Sequence, residues 1–276
     1  MSENTIKEKL VIYESYLVKS ELSRRTVSKY VRDVEFFYRH TGFADADIAS
    51  VMEYKEHMRE KYSISTVNSR LISLNRFWKW LDKPELCLGL LKCQRRFFTP
   101  VELTVEDYRK MTAYALSKGD IKWYLIMRCL GSMGLRVGEL QFITYEAAKA
   151  CAAEIYFKSK QRTILIPDEI ASELLSYCRT VGITSGIIFT NKRKTAPLDN
   201  SLIWRGLKRC AAEAGIDKSE VYPHNFRHMF ARAYMDRFHD IAELADILGH
   251  SSIETTRIYT KTSRETQRSR LGSLGL

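Results

Sequence analysis

Four stretches carry polar side chains at spacings that suit phosphoryl chemistry. GLRVGEL holds Arg136 in a glycine-flanked turn with Glu139 three residues on, so a planar guanidinium can be presented to a phosphate or carboxylate. AAEIYFKSKQRTILIP reads as two β-rich runs about a polar turn, and alternation along a strand places Lys158, Lys160 and Arg162 on one face. In YPHNFRHMFARAYM, Pro223 favours a helix start, His224, Arg227 and His228 fall within one turn, and Phe226, Phe230 and Ala233 read as the core side. LGHSSIETTRIYT places His250 after a helix end at Gly249, with Ser251 or Ser252 as the next cap and Tyr259 nine positions beyond His250. Each stretch alone also has a plain structural explanation: a surface ion pair, a charged strand edge, a pair of histidines at i and i+4, a helix cap. Metal ligation by that pair is disfavoured, because no acidic helper separates the two and Arg227 would repel a cation.

Together the four fit one reaction. Breaking a phosphodiester without a metal takes a nucleophile, positive charge for the non-bridging oxygens and a proton for the departing oxygen. Tyr259 offers the hydroxyl, Arg136 and Arg227 two guanidiniums, and His224, Lys158 and His250 protons and hydrogen bonds. A free tyrosine titrates near ~10, so neighbouring cations must favour its phenolate.

These residues need a scaffold, and the sequence reads as mainly α in two domains: residues 1–92 helical, a linker at 93–103, and a mixed α+β domain at 104–276 whose tail begins near 261. Thr26 is read as the cap of a helix with Val27, Tyr30, Val31, Val34 and Phe37 at helical spacing, ended by Thr41 and Gly42. A second helical segment spans 46–62. Ser65 is read as opening a third, with Val67, Leu71, Leu74, Trp78 and Leu81 on one face. The basic run with Arg95 and Arg96 ahead of Pro100 marks the linker, and Thr104 starts the next helix with Glu106 and Asp107 in its first turn. The hairpin is the main β element, with Ile187 to Thr190 as a possible short strand.

The chain has 44 Lys and Arg against 33 Asp and Glu, a net charge of +11, and the excess is shared by both domains. Such an excess suggests a polyanionic partner, most often nucleic acid such as double-stranded DNA, although many basic proteins bind none. No apolar run reaches the ~20 residues that cross a bilayer, and the polar opening MSENTIKEKL is no signal peptide, so a cytoplasmic location is expected. The six cysteines are scattered without a C-x-x-C pair, which fits free thiols and no structural zinc.

In their order, the Arg of GLRVGEL, a Lys in a β hairpin, HNFRH, LGHSS and TTRIYT, the motifs resemble those of the tyrosine recombinase (phage integrase) family, and the resemblance covers nearly the whole chain. TVSKYVRDVEFF and STVNSRLISLNRFWKWL look like that family's core-binding domain, which makes Arg70, Arg76, Lys79, Arg95 and Arg96 candidate DNA contacts. The resemblance implies that Arg136 and Arg227 grip the scissile phosphate while Tyr259 attacks it, leaving a 3′-phosphotyrosine and a free 5′-hydroxyl. It gives His224 the nucleophile's proton, His250 a hydrogen bond to a phosphate oxygen, Lys158 the leaving 5′ oxygen and Glu139 a supporting role. No cofactor or metal is implied. Lys160 is the alternative lysine, and Gly138 stands where the family often has serine. The family also implies a homo-tetramer on two DNA sites, a monomer or weak oligomer when free, DNA-bending accessory proteins, a nucleoid-associated bacterial setting, and residues Leu271 to Leu276 packing on a neighbouring protomer. The expected activity is that of a mobile element's site-specific integrase. A dimer resolvase of the same chemistry, a type IB topoisomerase or an inactive DNA-binding regulator compete with it.

Overall fold

The computed structural model describes residues 3–92, 103–157, 160–250, 252–260 and 272–273, with the side chains of 156, 157, 160, 161 and 260 left aside. The expectations for Lys158, for Arg95 and Arg96, for nearly all of the linker and for most of the tail therefore fall outside the described residues, as does the side chain of Lys160. The chain divides into two compact units, Met1–Phe98 and Thr99–Leu276. Its described residues are mainly helical, with one two-stranded antiparallel sheet.

The first unit is built from α1 (Glu3–Lys19), α2 (Arg24–His40), α3 (Ile48–Lys61) and α4 (Ile64–Trp80). Helix α1 buries Ile6, Leu10, Tyr13 and Leu17, one stripe at helical spacing. Phe37 meets Trp78 edge to face at 5.3 Å, and Tyr13 meets Phe77 likewise at 4.9 Å, so an aromatic core ties α1, α2 and α4 together. A polar pin crosses the same interface: the buried Asp33 accepts from Lys29 Nζ at 2.5 Å and from Ser73 Oγ at 2.8 Å. Two expected caps move. Ser23 and Ser63, not Thr26 and Ser65, cap α2 and α4, with Thr26 and Thr66 hydrogen-bonded to them one turn inside. In an S-x-x-T pattern both hydroxyls sit near the helix start, and the earlier one receives the free backbone N–H.

The second unit runs α5 (Val105–Ser117), capped by Thr104 as expected, then α6 (Ile121–Ser132), a 3-10 turn (Val137–Phe142), α7 (Tyr145–Ala150), β1 (Ala152–Phe157) and β2 (Lys160–Leu165). It continues through α8 (Asp168–Val181), α9 (Asn200–Glu213), α10 (Pro223–Phe238), α11 (Ile241–Leu248) and α12 (Ile253–Thr256), which passes into a 3-10 turn at Arg257–Thr260. Leu125, Ile126, Cys129 and Leu130 of α6 are buried at its centre.

Three expectations need correction in this unit. The segment Ile187 to Thr190 forms no strand and contributes only isolated bridges, Thr144 with Ile187 and Thr190 with Pro197. Ala233 is exposed, and Ala231 and Met235 take the buried side of α10 instead. Arg162 does not lie on a solvated hairpin face. It pairs with Ile155 in the register and shares its face with Ile164, and both isoleucines are buried.

Candidate active site

Four chain segments meet around the predicted residues. The first is the end of α6, where Gly134 adopts a left-handed conformation at φ +60°; a Cβ there would lie 2.5 Å from the Phe230 ring of α10. Glycine therefore lets the α6 end close on α10, and its carbonyl accepts from Arg227 Nη1 at 2.8 Å. Two residues on, Arg136 heads the 3-10 turn. Its backbone N–H donates to Glu139 Oε2 at 2.8 Å, its Nη1 to Glu139 Oε1 at 3.0 Å and its Nη2 to the Gly249 carbonyl at 3.3 Å. Glu139 is buried, whereas the Arg136 side chain is 45% exposed.

The second segment is β2. Arg162 Nη2 reaches Glu139 Oε2 at 2.5 Å and its Nη1 reaches the Ile247 carbonyl at 2.6 Å. One carboxylate thus holds two arginines from different elements. Burial lowers the Arg162 pKa, and Glu139 opposes that shift.

The third is α10, started by Pro223 as expected. Arg227 is buried, and besides Gly134 it donates through Nη2 to the Leu248 carbonyl at 2.6 Å and contacts His250 Nε2 at 3.0 Å. Burial, followed by the Arg136 charge, pulls its pKa down to about 10, so it remains a cation at neutral pH. His224 is exposed on the same helix and its ring meets that of His228 edge to face at 4.2 Å. Burial, then Arg227 and Arg136, lowers the His224 pKa.

The fourth is the corner from α11 into α12. Gly249 caps α11 at φ +61°, where a Cβ would lie 2.5 Å from Arg162 Cδ, and Ser252 caps α12. His250 Nδ1 lies 2.8 Å from Oγ1 of the buried Thr256. A guanidinium can only donate, so Nε2 accepts from Arg227 and the ring proton sits on Nδ1, donated to Thr256. Burial and then Arg227, Arg136 and Arg162 push the His250 pKa down to about 4, in keeping with that neutral tautomer. Tyr259, in the closing 3-10 turn, brings its hydroxyl 2.7 Å from Nδ1 of His228.

Arg136 with Glu139 and Arg227 with His250 therefore form two bonded pairs, brought together by the backbone carbonyls of Gly134, Leu248 and Gly249, and Tyr259 reaches α10 through His228 rather than His224. Sequence reasoning missed three participants: His228, Thr256 and Arg162 in its inward setting. Ile164 two residues beyond Arg162 was a period-two signal for an inward arginine. In the first unit, Arg70 lies against the rings of Tyr62 and Phe36 at 4.3 and 5.2 Å, lining a surface pocket with Lys29 and Arg32. Arg76 and Lys79 line another groove with Tyr16, Tyr30 and Trp80.

Comparison with known proteins gives this geometry a lineage. The chain is 29% identical over 282 residues to the tyrosine recombinase XerA of Pyrococcus furiosus, covering 95% of this chain and 93% of that protein. A crystal structure of XerA recombinase is similar at 25% identity with a TM-score of 0.54, covering 99% and 98% of the two chains. A lambda integrase tetramer bound to a Holliday junction shares the fold at 17% identity with a TM-score of 0.70, over 96% of this chain and 80% of that one. Residues 10–84 match the model of the phage integrase N-terminal SAM-like domain. Residues 102–266, more than half of the chain, match the model of the phage integrase family, and the protein belongs to that family.

Proposed function

We propose that Tyr259 of this tyrosine recombinase attacks a DNA phosphodiester held by Arg136 and Arg227, with His250 beside the same phosphate. The observation that carries the reading is the grouping of a half-exposed Arg136, held by Glu139 and the Gly249 carbonyl, with a buried Arg227, held by two carbonyls, and a His250 held by Arg227 and Thr256. A phosphodiester gains negative charge on its non-bridging oxygens as the nucleophile enters, and two preorganised guanidiniums stabilise that charge without reorganising. The Tyr259 oxygen forms the bond to phosphorus, the bond to the 5′ oxygen breaks, and Lys158 supplies the proton that the 5′ oxygen takes up. Rejoining runs the same steps backward with a 5′-hydroxyl from a partner strand.

DNA lies along both units in this reading, with Arg70, Arg76 and Lys79 against the first unit's share of the duplex. Arg95 and Arg96 belong to the same set. Assembly as a tetramer on two sites gives the exchange its two pairs of strands, and the lambda integrase tetramer bound to a Holliday junction supports that stoichiometry. We place the activity in the integration or excision of a mobile element.

Binding selection from a random-sequence library supplies a duplex for the test. A nicked version of it, incubated with the full chain and quenched in detergent, should leave a covalent protein–DNA adduct that Tyr259→Phe abolishes. Binding without an adduct rejects the reading. A plasmid with two directly repeated sites then separates resolution from relaxation without exchange.

A further inference from the structure

The proton of the nucleophile has a receiver in this fold other than His224. His228 follows Arg227 on α10, is half-buried, and lies with Nδ1 2.7 Å from the Tyr259 hydroxyl and its ring centroid 5.3 Å from the tyrosine ring. Its other flank is packed by the His224 ring. We propose that His228 is a catalytic residue, the general base that takes the Tyr259 proton on Nδ1 as the phenolic oxygen bonds to phosphorus, and that His224 positions its ring. The inference rests on Tyr259 being the nucleophile.

The atoms balance. The neutral His228 ring, with its own proton on Nε2, accepts the phenolic O–H on Nδ1. The tyrosine oxygen forms its bond to phosphorus, the 5′ oxygen leaves and is protonated by the lysine, and the His228 proton returns to the phenol when the strand is rejoined. Among the described residues, the groups acting on His228 are His224, Arg227 and Arg232 on α10, His250 beyond α11 and the Tyr259 hydroxyl itself. Burial and then those histidines and arginines bring its pKa down to about 4, so the ring is neutral and able to accept at physiological pH. An arriving phosphate offsets the same cations and strengthens the base when it is needed.

The test uses the full chain and the selected, nicked duplex carrying a bridging 5′ sulfur at the scissile phosphate, because a thiolate leaves without a proton and isolates the base from the acid. His228→Ala should slow adduct formation about 100-fold, with unchanged DNA affinity. His228→Gln, which keeps the ring's volume and a hydrogen bond but no base, should slow it comparably and guards against an unfolded Ala variant. The wild-type rate should be flat from pH 6 to 8 while both variants rise about tenfold per pH unit, since the phenolate must then form without help. Added imidazole should restore part of the Ala variant's rate. Equal or faster cleavage by both variants, or variant profiles as flat as the wild type's, overturns the proposal: the contact is then packing or a restraint on the tyrosine. Absence of an adduct in the wild type on a duplex it binds overturns both this proposal and the nucleophile assignment, and it is read before any variant is compared.

Discussion

Replacing Glu139 by Ala removes the single carboxylate shared by Arg136 and Arg162, and the structure sets the size of the loss. The Glu139 and Arg162 side chains are 6% and 13% exposed, with 2.5 Å between them. At an effective dielectric of about 20, charges roughly 4 Å apart attract by about 4 kcal/mol, and orphaning one partner of a buried pair costs about 3–5 kcal/mol. The Arg136 contact adds little, because that side chain is 45% exposed and such pairs contribute under about 1 kcal/mol. We therefore expect the second unit to lose about 3–5 kcal/mol in Glu139→Ala, and less in Glu139→Gln, which keeps one acceptor oxygen. Urea titration of the full chain followed by hydrogen-exchange mass spectrometry on peptides of β2 and α10 reads this unit separately from the first. Adding Arg162→Met to Glu139→Ala should recover stability, since the orphaned charge leaves with it. A Glu139→Ala protein within about 1 kcal/mol of wild type, or a double variant less stable than the single one, would refute the electrostatic account.

Gly249→Ala should destabilise the second unit by about 1–2 kcal/mol for its left-handed backbone alone, with a further loss as the new methyl displaces Arg162; a melting temperature equal to wild type refutes this. Acidification should weaken the same unit. His228 and His250 are held at about 4, below the ~6.5 of an unfolded histidine, so protons bind the unfolded chain more readily between those values. The stability they lend is present above that window and drains as pH falls through it, and unfolding midpoints should fall less steeply in His228→Gln. Arg70→Ala should weaken DNA binding across sequences and reduce the slope of log affinity against log salt by about 1; an unchanged slope removes Arg70 from the phosphate contacts.

Much of this was legible because helical periodicity and residue type suffice for elements such as α4 and α10. The motif order alone pointed to Arg136, Arg227 and His250 as neighbours, and the folded chain joins them through the carbonyls of Gly134, Leu248 and Gly249. What escaped depended on direction and distance. Whether Arg162 faces water is decided by its register partner Ile155, a non-local fact. That His228 rather than His224 meets Tyr259 depends on how the turn at Arg257–Thr260 returns to α10, and the i, i+4 spacing of the two histidines places both on one stripe without choosing between them. The cap at Ser23 was missed because Thr26, three residues on, has the same chemistry, and the cap at Ser63 because Ser65 and Thr66 both do.

Arg136, Arg162 and Arg227 are each restrained by at least one peptide oxygen. Gly134, Ile247, Leu248 and Gly249 offer peptide oxygens from the trailing ends of two helices, and among the described residues Glu139 is the one anion bonded to any of the three. A carboxylate in each of those places would aim the guanidiniums as firmly and cancel them. Helix ends instead fix direction with only partial negative charge, so the pocket keeps a net positive charge for an entering polyanion.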